Sequence, residues 1–192
     1  MLSELTQVEA AALPLGPFQE HLRLASGFAP AADQAPMLEA YLRAAMAVIE
    51  KRIGKALYER SCALRLTHWL GPEQPLPLAP VAEITEILTY DSMGGETLWP
   101  QSRYRLLPDL HRPKIAGDLP AIPTGGYALV HFEAGFGANW TNIPADLRQA
   151  VFLLAADYYE HRHSGPEPAL PQTIAKVLEP WRSLRLLGGA LR

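Results

Sequence analysis

Apolar residues recur at three- and four-residue spacing through Leu38, Tyr41, Leu42, Ala45, Ile49 and Ile53, then alternate through Cys62, Leu64 and Leu66. Helical spacing returns at Leu147, Ala150, Val151, Leu154 and Tyr158. Side chains share a helix face about every 3.6 residues and a strand face at every second residue, so this double change of period predicts helix, then sheet, then helix. The expected class is α+β, with terminal helices packed with a small central antiparallel β-sheet. A chain of 192 residues is long enough to bury a core as one domain.

Local signals divide the chain further. Residues 1–32 read as an amino-terminal arm with a short helix, because Phe18, Leu22 and Ala25 keep a weak helical pattern that Gly27 and Pro30 then break. Asp33 stands where it can cap the first long helix, and Gly54 lies near its end. Residues 72–80, Pro-Glu-Gln-Pro-Leu-Pro-Leu-Ala-Pro, exclude a helix or a central strand and favour an extended connector. The Pro72-Glu73-Gln74-Pro75 within them has the form of a proline-recognition motif, a composition that stiff linkers share.

The β-region is expected over about residues 62–134. Ile84, Glu86, Leu88 and Tyr90 alternate toward Asp91-Ser92-Met93-Gly94-Gly95, whose glycines suit a hairpin turn, with a return strand through Thr97-Leu98-Trp99. Tyr104-Arg105-Leu106-Leu107, Lys114-Ile115-Ala116 and residues 127–132 give further strands. Pro144 and Asp146 then mark the start of a helix over about 144–162, favoured by the fixed proline φ and by a carboxylate in the first turn. Phe152, Leu153, Ala155 and Ala156 fill much of its remaining circumference, which predicts burial on several sides. A short helix over about 171–179 closes the main domain, residues 33–180, and residues 181–192 form a tail of alternating basic and apolar side chains.

Composition excludes several function classes. With 17 Lys and Arg against 20 Asp and Glu, the formal net charge is −3, too little positive field to hold nucleic acid by phosphate neutralisation. Cys62 is the single cysteine, which excludes an intramolecular disulfide and a cysteine zinc cluster. The amino terminus carries no basic segment before an apolar run, and no stretch reaches the length of a spanning helix, so neither secretion nor membrane insertion is expected. A content of 48% hydrophobic and 19% charged residues points to surface covered by partner chains.

Chemical motifs are sparse. Gly135-Phe136-Gly137 lacks the third glycine of a dinucleotide fingerprint, and no glycine-rich loop ends in Lys-Ser or Lys-Thr. His161 and His163 are two apart and point in different helical directions, with Asp157 as the single carboxylate at a matching metal spacing. His21, His68, His111 and His131 have no cysteine or carboxylate pattern beside them, and no Gly-x-Ser-x-Gly elbow occurs. Asp157, Glu160 and Arg162 suit either an ordinary surface pair or an ion pair between subunits. Tyr41, Trp69, Trp99, Trp140 and Trp181 lack the interleaved cations of a base-stacking surface and read as core or interface anchors. No catalytic residue, cofactor or metal is expected, and the chain reads as a structural protein, not an enzyme.

Three blocks in order carry a resemblance. The first runs Leu38-Glu39-Ala40-Tyr41-Leu42-Arg43-Ala44-Ala45 through Ile49-Glu50-Lys51-Arg52-Ile53-Gly54-Lys55-Ala56-Leu57. The second is Pro80-Val81 with Ile84, Ile87, Tyr90-Asp91, Gly94-Gly95 and Tyr104. The third joins Glu133-Ala134-Gly135-Phe136-Gly137, Ile143-Pro144-Ala145-Asp146-Leu147-Arg148-Gln149-Ala150 and Tyr159-Glu160-His161-Arg162. Together they resemble the head-tail connector, or adaptor, proteins of long-tailed phages, also found in prophages and gene transfer agents.

The resemblance implies a ring of copies, commonly dodecameric, that sits beneath the portal protein at the head-tail junction of the particle and extends the DNA channel toward the tail. It also implies a stopper or other tail-side neck protein as the lower neighbour, DNA passing without specific binding, no membrane partner, and assembly in the host cytoplasm. By position, the portal-docking tail is Trp181, Arg182, Leu184, Arg185, Leu186 and Leu187. A closed ring needs two different faces per subunit, expected on the two long helices at Tyr41, Ile49, Phe152, Tyr158, Tyr159 and Arg162. The alternatives are another neck or tail-completion component, or a small enzyme or ligand-binding domain.

Overall fold

The computed structural model describes residues 1–22, 31–161 and 170–182. The chain runs β1 (Leu2–Glu4), α1 (Leu15–His21), α2 (Ala31–Ile53), β2 (Arg60–Leu66), β3 (Glu73–Pro75), β4 (Val81–Tyr90) and β5 (Glu96–Leu98). It continues through β6 (Tyr104–Leu107), β7 (Lys114–Gly117), β8 (Tyr127–Ala134), α3 (Ala145–Glu160) and α4 (Gln172–Leu178). The fold is α+β, as the periodicity predicts.

The helices make one layer around a shared core. Leu38, Leu42, Ala45, Ile49 and Ile53 of α2 are buried in one cluster with Leu147, Ala150, Val151 and Leu154 of α3, Ile174 and Leu178 of α4, and Phe18 of α1. Burying each large aliphatic side chain contributes about 1.5–3 kcal/mol, which is what holds short α1 and α4 in place. Helix α2 begins at Ala31, so Asp33 lies inside its first turn and is not the capping residue.

The β-region forms two antiparallel sheets where one was expected. The larger has strand order β1-β2-β8-β4-β5, and the smaller β3-β7-β6. Strand β8 is central, with Phe132 paired to Cys62 on one side and Ile84 on the other. Ile84, Ile87, Val130 and Phe132 of the large sheet share an apolar cluster with Tyr104 and Ile115 of the small one.

Three details depart from the simple alternation. Two register shifts in β4, between Val81 and Glu83 and between Ile84 and Glu86, turn the strand so that Ile87 enters the core in place of Glu86. Residues 73–75 are not merely a connector: they form β3 at the edge of the small sheet, where the missing N–H of Pro75 is tolerated. The first residues are built into the body, since Leu2 pairs with Leu64 and Leu13 and Phe18 are buried in the helical core.

Candidate functional site

The turn after β8 shows what its glycines are for. Gly135 N–H donates to the Pro80 carbonyl at 2.9 Å, Phe136 N–H to Leu57 at 3.2 Å, and the Gly137 carbonyl accepts from Glu59 N–H at 3.0 Å. Gly135 and Gly137 have φ of 142° and 143°. A Cβ on Gly135 would meet the backbone of Tyr58 and Glu59, and one on Gly137 the Asn142 side chain. The glycines therefore let the end of β8 run against residues 57–59, and the Gly135 and Phe136 amides are spent on backbone carbonyls, not aimed at a phosphate.

That turn leads to an aromatic belt joining the helices. Trp140 stacks on Phe152 at 5.2 Å, Phe152 meets Phe18 at 5.5 Å and His21 at 5.4 Å, and Tyr58 stacks on Trp140 at 6.3 Å. The Tyr58 hydroxyl donates to the Ala12 carbonyl at 2.7 Å, and burial pushes its phenol up to about 12. The tryptophan N–H groups act as pins: Trp69 donates to the Pro120 carbonyl and Trp99 to the Asp118 carbonyl, each at 2.7 Å.

Of the expected docking residues, Trp181 is half-buried on the body of its own chain. Its indole N–H donates to Asp146 Oδ2 at 2.6 Å, and its ring meets Phe136 edge-on at 5.7 Å. Trp181 is thus held on the body of its own chain through Asp146 and Phe136. Arg182 is exposed, while Leu184, Arg185, Leu186 and Leu187 lie outside the described residues.

Among the expected subunit contacts, Ile49 is corrected: it is fully buried in the helical core, because it lies on the α2 face that packs toward α3, and has no surface for a neighbour. Tyr41 and Tyr159 are half-buried and meet edge-to-face at 6.3 Å. Phe152 and Tyr158 are likewise half-buried against the same core, and Arg162 lies outside the described residues. Asp157 pairs with His161 of its own helix at 3.2 Å. His131, expected to have no carboxylate near it, lies 3.1 Å from Glu86 on the adjacent strand.

One buried charge and one half-buried ion pair escaped the sequence reading. Lys55 is 1% exposed, donates to the Leu110 carbonyl, and lies 3.3 Å from His111 Nδ1. Burial holds its ammonium below the usual lysine range, and Asp109 opposes that effect. Glu50 accepts Leu57 N–H at 2.7 Å and both terminal nitrogens of Arg60, at 3.2 and 2.8 Å. These groups tie the end of α2 to the start of β2 and to the loop at residues 108–111. The available signal was Gly54, whose φ of 67° turns the chain inward immediately before Lys55.

A cleft of about 270 Å³ lies beside this junction, lined by Glu4, Val8, Arg43, Met46, Glu50 and Arg60 among others. The β4–β5 hairpin projects elsewhere: residues 91–98 are all exposed, and Met93 at its tip is 95% exposed. Asp91 Oδ1 accepts the N–H groups of Met93 and Gly95, each at 2.8 Å, so the tip is a defined turn. Among the described residues no group of three or more His, Cys, Asp or Glu could hold a metal ion, and no helix is long and apolar enough to cross a membrane.

No protein-family model matches the chain, and no curated protein matches it. Solved structures do. A chain in the neck of an empty gene transfer agent (GTA) particle with C6 symmetry is 49% identical, with a TM-score of 0.90. A chain in the virion of the native GTA particle is 49% identical with a TM-score of 0.88, and one in the native neck with C12 symmetry is 46% identical with a TM-score of 0.83. In each case the match covers 98% of this chain and 98% of the other. With such identity over nearly the full length, the chain belongs to the head-tail connector family of phages, prophages and gene transfer agents.

Proposed function

We propose that this chain is the adaptor of a phage-like particle: a ring of copies bound beneath the portal protein that extends the DNA channel toward a stopper or other tail-side neck protein. The observation that carries this reading is the 49% identity over 98% of the chain to a protein of the GTA neck. Necks with C6 and C12 symmetry support the ring, a dodecamer being the smallest stoichiometry that both symmetries admit. The formal charge of −3 suits a conduit, because a wall without a basic field does not retain sliding DNA through phosphate contacts. The local chemistry agrees with a structural role, since Glu50, Arg60, Lys55 and the N–H groups of Trp69, Trp99 and Trp181 are engaged in joining parts of the fold.

In this reading residues 184–192 dock on the portal, their leucines burying apolar area and Arg182 and Arg185 meeting acidic groups. Removing residues 184–192 is expected to abolish co-purification with the portal while leaving the circular dichroism spectrum and melting temperature unchanged. Undiminished portal binding by the truncated chain overturns the assignment.

A further inference from the structure

The outward side of α2 is unlike that of a helix left in water. Opposite the buried stripe of Leu38, Leu42, Ala45, Ile49 and Ile53, the exposed positions after Pro36 are Ala40, Ala44, Ala47 and Val48, followed by Lys51 and Arg52. At about 100° per residue these six occupy one sector roughly 140° wide, apolar along most of its length and basic at its end. The polar side chains of the helix lie on its flanks and are already engaged, Arg43 with Glu39 at 2.7 Å and Glu50 with Arg60 at 2.8 Å.

Helix α3 carries the complement. Its exposed positions Asp146, Gln149, Leu153 and Glu160 fall on the side away from Leu147, Ala150, Val151 and Leu154. This face is apolar at its centre and acidic at both ends, with Leu153 36% exposed against 39% for Val48. At about 1.5 Å per residue, residues 40–52 span about 18 Å and residues 146–160 about 21 Å, so the two faces are similar in length, and the basic end of the first is opposite in charge to the ends of the second. Each lies opposite the stripe that joins the shared helical core, so they look away from each other across the layer.

We propose that a second copy of this chain covers each face: Ala40, Ala44, Ala47, Val48, Lys51 and Arg52 of one copy receive Leu153 and the acidic ends of α3 of the next. The proposal rests on the ring reading given above. A contact that closes by rotation joins two different surfaces, and these two are complementary and borne on opposite sides of one rigid layer. Alanines let the helices approach closely, Leu153 supplies the apolar contact, and the basic end of α2 attracts an acidic end of α3. The ring faces thus sit on the two long helices, on the sides turned away from Ile49 and the core.

The test uses necks isolated from particles that carry this chain. With Val48→Cys and Leu153→Cys combined in one chain, oxidation is expected to give a ladder of disulfide-linked multimers, whereas either single variant gives none, because it places a thiol on one side of each contact. Lys51→Glu with Arg52→Glu is expected to reduce incorporation into necks at least about tenfold, and Gln149→Lys with Glu160→Lys to restore it. Circular dichroism of each variant separates loss of contact from loss of fold. Rings of normal appearance that give no ladder overturn the proposed faces and leave the ring reading standing. A ladder from a single-cysteine variant, or a cross-link from Val48→Cys to the portal, also overturns them by assigning the face to another occupant. Absence of rings from necks of the unmodified chain overturns the ring reading itself.

Discussion

Replacing Glu50 by alanine is expected to loosen the junction between the helical layer and the large sheet. The Arg60 side chain is 9% exposed and that of Glu50 15%, so this ion pair is largely withdrawn from water. One carboxylate serves three donors, the Leu57 N–H and both terminal nitrogens of Arg60, at 2.7 to 3.2 Å. Breaking a buried pair from one side costs about 3–5 kcal/mol, because the remaining charge stays desolvated. The abandoned Leu57 N–H by itself corresponds to about 1–3 kcal/mol. Glu4 still reaches Arg60 at 3.2 Å, and the two losses share one side chain, so they do not add in full. The expected destabilisation is about 3–4 kcal/mol, a fall in Tm of roughly 6–16 °C for a chain of this size.

Urea denaturation followed by far-ultraviolet circular dichroism reads the effect, with an unchanged slope showing that the unfolded state is not what altered. Glu50→Gln, which can still accept Leu57 N–H, is expected to fall between the parent and Glu50→Ala. Combining Glu50→Leu with Arg60→Met removes both charges and is expected to recover the part of the loss due to the unpaired ion, leaving the part due to the Leu57 N–H. A cost below about 1 kcal/mol for Glu50→Ala would refute the argument that this buried pair joins the two layers.

Two further predictions concern the β8 turn and the buried thiol. Gly135→Ala forces a Cβ into the Tyr58 and Glu59 backbone at a φ of 142° and is expected to cost about 3 kcal/mol or more. Gly94→Ala, at a φ of 85° with open space around it, is expected to cost about 1–2 kcal/mol, and equal losses at the two sites in denaturant titrations would contradict the close-approach account. Burial pushes the Cys62 thiol from 9.0 up to about 11, so near pH 8 alkylation of the native chain is expected to be at least about 100-fold slower than in urea. Because the folded value is the higher one, the native state keeps a proton that the unfolded chain releases. This contribution is therefore intact below pH 9 and lost as pH rises toward 11, about 2–3 kcal/mol in all. Cys62→Ala is expected to flatten that alkaline decline, and an unchanged pH profile would disprove the linkage.

Elements with strong local signals were legible, and those made by pairing across the chain were not. Leu38 to Ile53 and Leu147 to Tyr158 announce their helices because a 3.6-residue stripe is visible in any short window. The hairpin at Asp91 is likewise local, since its carboxylate and glycines close their own turn. Strand β1 is three residues long and exists because Leu2 meets Leu64, a partner no nearby residue announces. The bulges of β4 are invisible for the same reason: they answer to β8 and not to the sequence of β4. The expected site residues divide along the same line: the helix that carries Ile49 was legible, whereas the side of it that faces the core was not.

By itself, the sequence determined the order of helix and strand, the turns, the lack of a phosphate loop or metal motif, and the blocks that place the chain in its family. Tertiary structure decided which faces are left over once the core is formed. A helix with an apolar stripe announces that it must be covered, but α2 is apolar on two opposed sides, and only packing shows that Leu38 to Ile53 meet α3 while Ala40 to Val48 remain outside. It likewise decided that Lys55, an ordinary surface charge by pattern, is buried, that Glu50 is half-buried against Arg60, and that Trp181 packs on the body. The physical reason is that periodicity is a property of neighbours along the chain, whereas burial depends on residues brought together from distant parts of it.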